Sequence, residues 1–261
     1  MLLTLHHKII KIMKRIYQTL LLALTLTAGT AQTAFWTPTT YKGAFDCTAS
    51  MWTDTWTEWD PQNKVYPVAT MTVNSNILTN TTWSTGQTIL LQGPIFVKNN
   101  SVLTIQPGVV VLGDKGTSSS ALIITKGSQI QAVGTVSNPI VFTSNQPVGA
   151  SNRSVGDWGG IILLGNAQIN VPGGIANIEG LTVSTDTEYG STTPNNNDNS
   201  GTLQYVRIEF GGYVCAANKE INGLTMGGVG KATTIDHIQT SFTNDDGFEW
   251  YGGNVNCKYL V

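Results

Sequence analysis

The sequence has little charge and little cysteine, and it lacks long hydrophobic runs beyond its N-terminal region. Asp, Glu, Lys and Arg make up 11% of the 261 residues, and only three residues are cysteine. The separations of Cys47, Cys215 and Cys257 exclude a CxxC metal or redox motif. Gly, Ser, Thr and Asn are abundant, which is typical of a β protein with many turns and not of a helical or disordered chain.

The longest apolar run lies near the N-terminus and fits a secretory signal peptide over residues 1–31. Basic residues from Lys8 to Arg15 precede the run, which spans Leu20 to Leu26, and small residues up to Ala31 follow it. The run is about half of the roughly 20 residues needed to span a bilayer, so no transmembrane segment is expected in the mature chain. We predict cleavage after Ala31 and an extracellular or outer-cell-surface location.

Removal of residues 1–31 changes the balance of charge. All sixteen acidic residues remain, but only ten of the fourteen basic residues do, so the net charge changes from −2 to −6. This balance argues against nucleic acid or an anionic membrane as a partner. It is compatible with cations or with neutral polymers.

Short apolar runs dominate the chain from Val68 onward. Between residues 95 and 143, six runs of three to five residues are separated by Gly, Pro, Asn and Ser. Each run is too short for a helix, and apolar and polar residues alternate within some of them, as in Ile235-Asp236-His237-Ile238. One side of each predicted strand should therefore be buried, and the other should face water.

The spacing of these runs favours a coil of short parallel strands. A sandwich needs longer strands and tight hairpins, and Asn-Gly and Asp-Gly turn signals are few here. A propeller needs a strong repeat of about forty residues. A solenoid with three short strands per turn fits, and residues 95–143 would make about two turns of it. We predict an all-β solenoid over residues 68–261, with a loop excursion at 172–201.

Residues 32–67 differ in composition from the solenoid and are predicted to form a short helical, Trp-rich N-terminal cap. Trp52, Trp56 and Trp59 are spaced as on one face of a short helix that ends at Pro61. We interpret this helix as a plug over the open end of the solenoid core. The alternative is an aromatic platform, in which the three Trp residues stack on sugar rings.

Six motifs resemble those of a known family. In chain order they are LTIQPGVVVLGDKG, SQIQAVGTVSNPIVFTS, GDWGGIILLGNAQIN, GTLQYVRIEFGG, EINGLTMGGVGKATTIDHIQTSFTNDDGFEWYGG and VNCKYLV. Together, over roughly residues 40–261, they are similar to exported bacterial surface proteins with a right-handed parallel β-helix, within the pectate-lyase-like group. Many members carry a sorting domain for type IX secretion, and most have no established activity. Because members usually continue for further coils, the resemblance also implies a chain truncated at Val261.

Two features are interpreted as structural. The stretch Asp157-Trp158-Gly159-Gly160 recurs in the resembling family, and we expect Trp158 to pack at a corner where the chain re-enters the coil. Export permits a disulfide, and we expect Cys215 to pair with Cys257 because both lie in adjacent repeats. Buried free thiols, acting as small hydrophobic side chains, are the alternative.

The strongest candidate for chemistry is the stretch NDDGFE, whose carboxylates are Asp245, Asp246 and Glu249. If they lie on the outer surface, a neighbouring coil could add Glu209 or Asp236. Such a density of oxygen ligands suits Ca²⁺, and paired carboxylates suit glycoside hydrolysis. The resembling fold adds weight to the second reading, because β-helix glycosidases use an Asp-Asp pair. The alternative is a corner motif, in which Asp and Asn accept backbone N–H bonds.

The sequence therefore supports two functional hypotheses. The first is a non-enzymatic secreted or cell-surface protein that acts in adhesion or polysaccharide contact. The second is a carbohydrate-active enzyme, a glycoside hydrolase or lyase, that uses Asp245, Asp246 and Glu249. No Lys or Arg pair accompanies these acids, which lowers the weight of a lyase. Apart from Ca²⁺, no cofactor is indicated, and the expected partners are polysaccharides or cell-surface components.

Overall fold

The structure is a computed structural model that describes residue 35 and residues 37–46, 48–216 and 219–261. The chain divides into two units, Met1–Met51 and Trp52–Val261. The described residues of the first unit form bends and turns. The predicted signal peptide, residues 1–31, and Cys47 lie outside the described residues. No helix in the described part of the chain is long and apolar enough to cross a membrane.

The second unit is a right-handed parallel β-helix whose strands form three faces. Face 1 consists of β1 (Met71–Val73), β3 (Thr88–Leu91), β6 (Val110–Gly113), β9 (Ile140–Ser144) and the second halves of β13 (Gly201–Glu209) and β17 (Thr234–Ser241). Face 2 consists of β2 (Thr81–Trp83), β5 (Val102–Ile105), β8 (Gln129–Val133), the first halves of β13 and β17, and β19 (Cys257–Leu260). Face 3 consists of β4 (Pro94–Val97), β7 (Ala121–Ile124), β10 (Gly160–Leu164), β16 (Leu224–Gly227) and β18 (Phe248–Tyr251). Each strand pairs in parallel with its counterpart in the next coil.

The six apolar runs predicted between residues 95 and 143 correspond to β4 through β9, which make two coils. Their alternation follows the pleat of the strands. In β3, for example, Ile89 and Leu91 are fully buried in the core, whereas Leu90 lies half-buried on the outward side. The solenoid prediction is therefore confirmed, and its core is a stack of inward-facing aliphatic side chains.

Three strands, β13, β17 and β19, bend at the corner between face 2 and face 1 at residues with a positive φ angle. Tyr205 in β13 has a φ of 50°, His237 in β17 has 57°, and Tyr259 in β19 has 55°. The bends lie in register, so the three rings stack outside the coil. The ring centroids of Tyr205 and His237 are 4.4 Å apart, and those of His237 and Tyr259 are 4.3 Å apart. We call this stack the aromatic ladder.

Residues 52–66, which we call the strap, pack against this ladder. Trp56 is fully buried and contacts the rings of Tyr205 and His237 edge-on, at 5.8 and 5.9 Å. Trp52 lies 5.3 Å from the ring of Tyr259. Further along, the Tyr66 hydroxyl donates to Glu209 at 2.8 Å. The strap therefore lies along the outside of the later coils, and its contacts do not correspond to the predicted plug over the end of the core.

The strap is also not the predicted helix. Residues 52–56 form turns, and Thr57 donates to Thr53 in a single, long bond of 3.4 Å that spans four residues. Three β-branched threonines alternate with the other residues here, and Thr55 adopts a φ of 74°, outside the helical region. The Trp spacing that predicted a helix instead reflects contacts with coils that are distant in sequence.

The excursion at 172–201 covers the outward side of face 3. It contains β11 (Ile175–Asn177), the 3-10 helix η1 (Thr185–Thr187) and β12 (Glu188–Gly190), and β11 and β12 pair antiparallel. Tyr189 packs with outward-facing Ile162 and Leu164 in a second buried cluster. Ion pairs of Lys98 with Asp186 and of Lys126 with Glu188 hold it in place. A second small hairpin, β14 (Val214–Ala216) with β15 (Lys219–Glu220), follows β13.

Trp158 lies where the sequence placed it, at the point where the chain re-enters the coil after the loop that ends at Gly156. Its ring is fully buried and stacks on Phe142 at 6.3 Å. Its indole N–H donates to the Glu209 carbonyl at 2.7 Å. Gly113 leaves room for the ring, since a Cβ there would lie 2.4 Å from Trp158. The structural interpretation of this motif agrees with these contacts.

Candidate functional site

The acidic stretch leads directly into β18 and divides between two environments. Asp245 and Asp246 are exposed in the turn before the strand, whereas Glu249 is half-buried within it. Glu249 pairs with Thr225 and Tyr251 pairs with Gly227 of β16. Because alternate residues of a strand point the same way, Glu249 and Tyr251 both project from the outward side of face 3.

A second carboxylate, Glu179 from the excursion, joins Glu249 at this position. The Tyr251 hydroxyl donates to Glu179 and also interacts with Glu249. Asn222 is only 2% exposed, and its side-chain NH₂ group donates to Glu249. Its side-chain oxygen, Oδ1, accepts from the backbone N–H of Asp246 at 3.1 Å. We call Glu179, Asn222, Glu249 and Tyr251 the carboxylate cluster.

The surroundings of Glu249 raise its pKa. Burial raises the pKa of Glu249, and the negative charges of Glu179 and Asp246 raise it further, against the hydrogen bonds from Tyr251 and Asn222. Burial and the two carboxylates likewise raise the pKa of Tyr251 far above its ordinary value. The Tyr251 hydroxyl has only one proton to donate, so a proton on Glu249 relieves the competition between the two carboxylates.

The shared hydroxyl fixes the spacing of the two carboxylates. Oxygens that each lie within hydrogen-bond range of one hydroxyl are at most about 6 Å apart. In glycosidases, a separation of about 5 to 5.5 Å accompanies a nucleophilic mechanism with retention, and about 6.5 to 9.5 Å leaves room for a water. The upper bound for the Glu179–Glu249 pair is below the separation that leaves room for a water, and the Tyr251 hydroxyl lies between the two groups.

The three acids predicted to bind Ca²⁺ do not form a ligand set. Asp245 and Asp246 are exposed, and of these Asp246 is close enough to raise the pKa of Glu249. The Glu249 carboxylate interacts with the side chains of Asn222 and Tyr251. Across the described residues, no group of three or more His, Cys, Asp or Glu side chains is arranged to hold a metal ion. The Ca²⁺ hypothesis for Asp245, Asp246 and Glu249 therefore gains no support from this geometry.

The acids expected from a neighbouring coil do not reach the cluster either. Glu209 is fully buried on face 1, where it contacts Arg207 at 3.4 Å and accepts from Tyr66. Asp236 lies near the face 2 bend and contacts His237 at 2.5 Å. Neither acid joins Glu249, because successive strands of one coil lie on different faces of the solenoid.

The three Trp residues do not form a sugar-stacking platform. Trp56 is fully buried, Trp52 is half-buried between Trp56 and Tyr259, and Trp59 alone is largely exposed, at 67%. Trp52 and Trp56 have a structural role, which is to hold the strap on the aromatic ladder. The ligand-binding interpretation therefore fails for the platform as a unit.

The predicted Cys215–Cys257 disulfide is not formed, because both residues are free thiols. Cys215 lies in the small hairpin, packs on the outward cluster over face 3 and contacts Ser119 at 3.7 Å. Cys257 pairs with Ile235 on face 2 and packs against the inner core. The wall of the coil separates the two side chains, which explains why adjacent repeats do not bring them together.

The class of protein is thus a right-handed parallel β-helix with a carboxylate cluster on the outside of one face. The family described as "Pectate-lyase like beta helix domain" matches residues 75–261, which is more than half of the chain, and the chain belongs to this family. No curated protein and no solved structure is significantly similar to it. The family fits either polysaccharide contact or a carbohydrate-active enzyme.

Sequence reasoning missed Glu179, Asn222 and Tyr251. A signal for Tyr251 was present, since it follows Glu249 by two residues and must share its side of the strand. Asn222 precedes β16 by two residues, as Asp246 precedes β18 by two, so stacking of coils brings the two positions together. Glu179 had no such signal, because the path of a long excursion over a face is set by tertiary packing.

Proposed function

We propose that this protein is an exported, non-enzymatic β-helix protein that contacts polysaccharide or other cell-surface components through the carboxylate cluster. The observation that carries the proposal is the convergence of two carboxylates that neighbouring side chains hold in position. Glu179 accepts from Tyr251, and Glu249 accepts from Asn222. Each of these side chains is held in place by its partner, as in a preformed binding surface.

The composition of the cluster suits sugar hydroxyls. Carboxylates accept hydrogen bonds from hydroxyl groups, and bonds to charged acceptors are about twice as strong as those between neutral groups. The rings of Tyr189 and Tyr251 lie 5.9 Å apart beside the carboxylates. The net charge of the chain without residues 1–31, −6, favours neutral or cationic polymers as ligands.

A glycan array and polysaccharide pull-downs test this proposal. The wild-type chain is expected to be retained on at least one polysaccharide, and Glu249→Gln is expected to weaken retention by about tenfold or more, because a hydrogen bond to a charged group contributes about 1.5 to 3 kcal/mol. Asp245→Asn is the matched control, since it removes an exposed acid from the same turn. The absence of retention on every polysaccharide and cell surface would contradict the proposal.

A carbohydrate-active enzyme is the second candidate, and one observation favours it. The raised pKa of Glu249 beside Glu179 matches the acid required to protonate a leaving oxygen, with the second carboxylate as nucleophile. The test is release of reducing ends from polysaccharides bound in the array. Turnover that is lost in both Glu179→Gln and Glu249→Gln but kept in Asp245→Asn would favour catalysis by this cluster over the non-enzymatic binding function.

A further inference from the structure

A groove on the outward side of face 1 lies on a different face from the carboxylate cluster. Its volume is about 350 Å³, within the range of small-molecule sites. Leu90 and Leu112, from adjacent coils, line it together with Tyr66 at the end of the strap. At its rim, Val68 is 84% exposed and Val148 is 41% exposed. The groove is therefore apolar within and open to solvent at the rim.

Arg153 also lines the groove, although it is only 4% exposed. Backbone carbonyls fix its guanidinium: Nε donates to Gln146 at 3.0 Å, and Nη1 donates to Pro61 at 2.8 Å and to Lys64 at 2.6 Å. A guanidinium has five N–H donors. The two on Nη2 have no protein acceptor among the described residues, so Arg153 retains a pair of unused donors at the groove.

Arg153 is also a buried cation without an ion-pair partner in the described part of the chain. Its guanidinium lies over the Tyr66 ring at 5.4 Å, and this contact offsets part of the cost of removing the charge from water. The nearby carboxylate of Glu209 is already engaged by Arg207 and by the Tyr66 hydroxyl. Burial of an unpaired charge is costly, and an anion in the groove would lower that cost.

We propose that the groove binds a small ligand that carries a single carboxylate on an apolar body. The carboxylate accepts from Nη2 of Arg153, and the body packs on Leu90 and Leu112. One negative charge matches the one unpaired guanidinium, whereas a phosphate dianion would leave a charge uncompensated against an apolar wall. This site is independent of the polysaccharide proposal, because it lies on another face and uses none of the same residues.

Titration calorimetry with phenylacetate and its neutral analogue phenylacetamide tests the proposal on the full chain. Phenylacetate is expected to bind, and phenylacetamide is expected to bind at least about tenfold more weakly, because only the anion pairs with Arg153. Arg153→Gln should abolish the difference between the two ligands. Equal affinity for both, or no binding of phenylacetate at millimolar concentration, overturns the proposal.

Two variants at the exposed rim keep the test decisive if Arg153→Gln does not fold. Val68→Glu places a tethered carboxylate at the groove, where it competes for Arg153, and should weaken phenylacetate binding by about tenfold or more. Val68→Gln has the same shape without the charge and should bind within about twofold of wild type. Equal affinity of Val68→Glu and Val68→Gln would show that Arg153 does not receive the ligand.

Discussion

Replacement of Trp56 by alanine should release the strap from the aromatic ladder. Trp56 is fully buried and contacts Tyr205 and His237 edge-on, and its ring also stacks on Trp52 at 6.3 Å. Its indole N–H donates to the Trp52 carbonyl at 2.7 Å. Trp56→Ala removes all of these contacts together, whereas Trp59→Ala, three residues later, removes a ring that is 67% exposed.

The losses of folding stability expected for Trp56→Ala and Trp59→Ala differ by almost an order of magnitude. A buried Trp→Ala change costs about 3 to 5 kcal/mol, as the transfer of the ring and the cavity that it leaves both contribute. An exposed substitution away from such contacts is usually within about 0.5 kcal/mol. The pair of variants therefore compares a ring that anchors the strap with a ring that lies in solvent, within the same few residues.

Native-state hydrogen exchange of residues 52–60 measures this difference locally. A loss of about 3 to 5 kcal/mol corresponds to exchange that is roughly a hundredfold to a few thousandfold faster. We expect that acceleration in Trp56→Ala and exchange near the wild-type rate in Trp59→Ala. If the strap amides exchange at the same rate in both variants, Trp56 does not anchor the strap, and the assignment of its role is wrong.

Three further predictions concern single groups. Folding raises the pKa of Glu249 above its ordinary value of 4.5, so wild type should lose stability relative to Glu249→Gln as the pH rises from 4.5 through the raised value; a melting-temperature difference that is constant with pH would contradict this. Gly113→Ala places a Cβ 2.4 Å from Trp158, so urea unfolding should show a loss of about 1 to 3 kcal/mol, and unchanged stability would show that the ring has room to move. Burial raises the pKa of Cys257 to about 11, so its peptide should react with iodoacetamide slowly at pH 8 until the chain is denatured; fast native labelling would refute its burial.

The fold could be predicted from the sequence because its signal is local and repeated. Each strand is a short apolar run, and each corner carries Gly, Pro or Asn, so β4 through β9 follow from the pattern alone. The strap could not be predicted in the same way. Trp56 contacts Tyr205 and His237, more than 140 residues later, and an i, i+4 spacing of Trp residues has the same appearance in a helix and in a turn.

The candidate site was predicted in part, for the same reason. Glu249 lies on the outward side of its strand, as alternation indicates, but its carboxylate partner comes from the excursion and not from the adjacent aspartates. Cys215 and Cys257 illustrate a related limit, because neighbouring coils share a repeat while their side chains can lie on opposite sides of the wall. The position of a residue in the repeat tells which coil the residue belongs to. Tertiary packing decides which side chains of neighbouring coils and excursions come into contact.

Affinity electrophoresis tests the central claim most directly, in gels that contain a polysaccharide on which the wild-type chain is retained. The mobility of the wild-type chain should fall as polysaccharide is added. Glu249→Gln should restore most of the mobility, and Asp245→Asn should migrate as wild type does. Of these two acids, Glu249 belongs to the carboxylate cluster and Asp245 does not. Equal retardation of all three chains would place the polysaccharide contact elsewhere on the β-helix and contradict the function that we assign to the cluster.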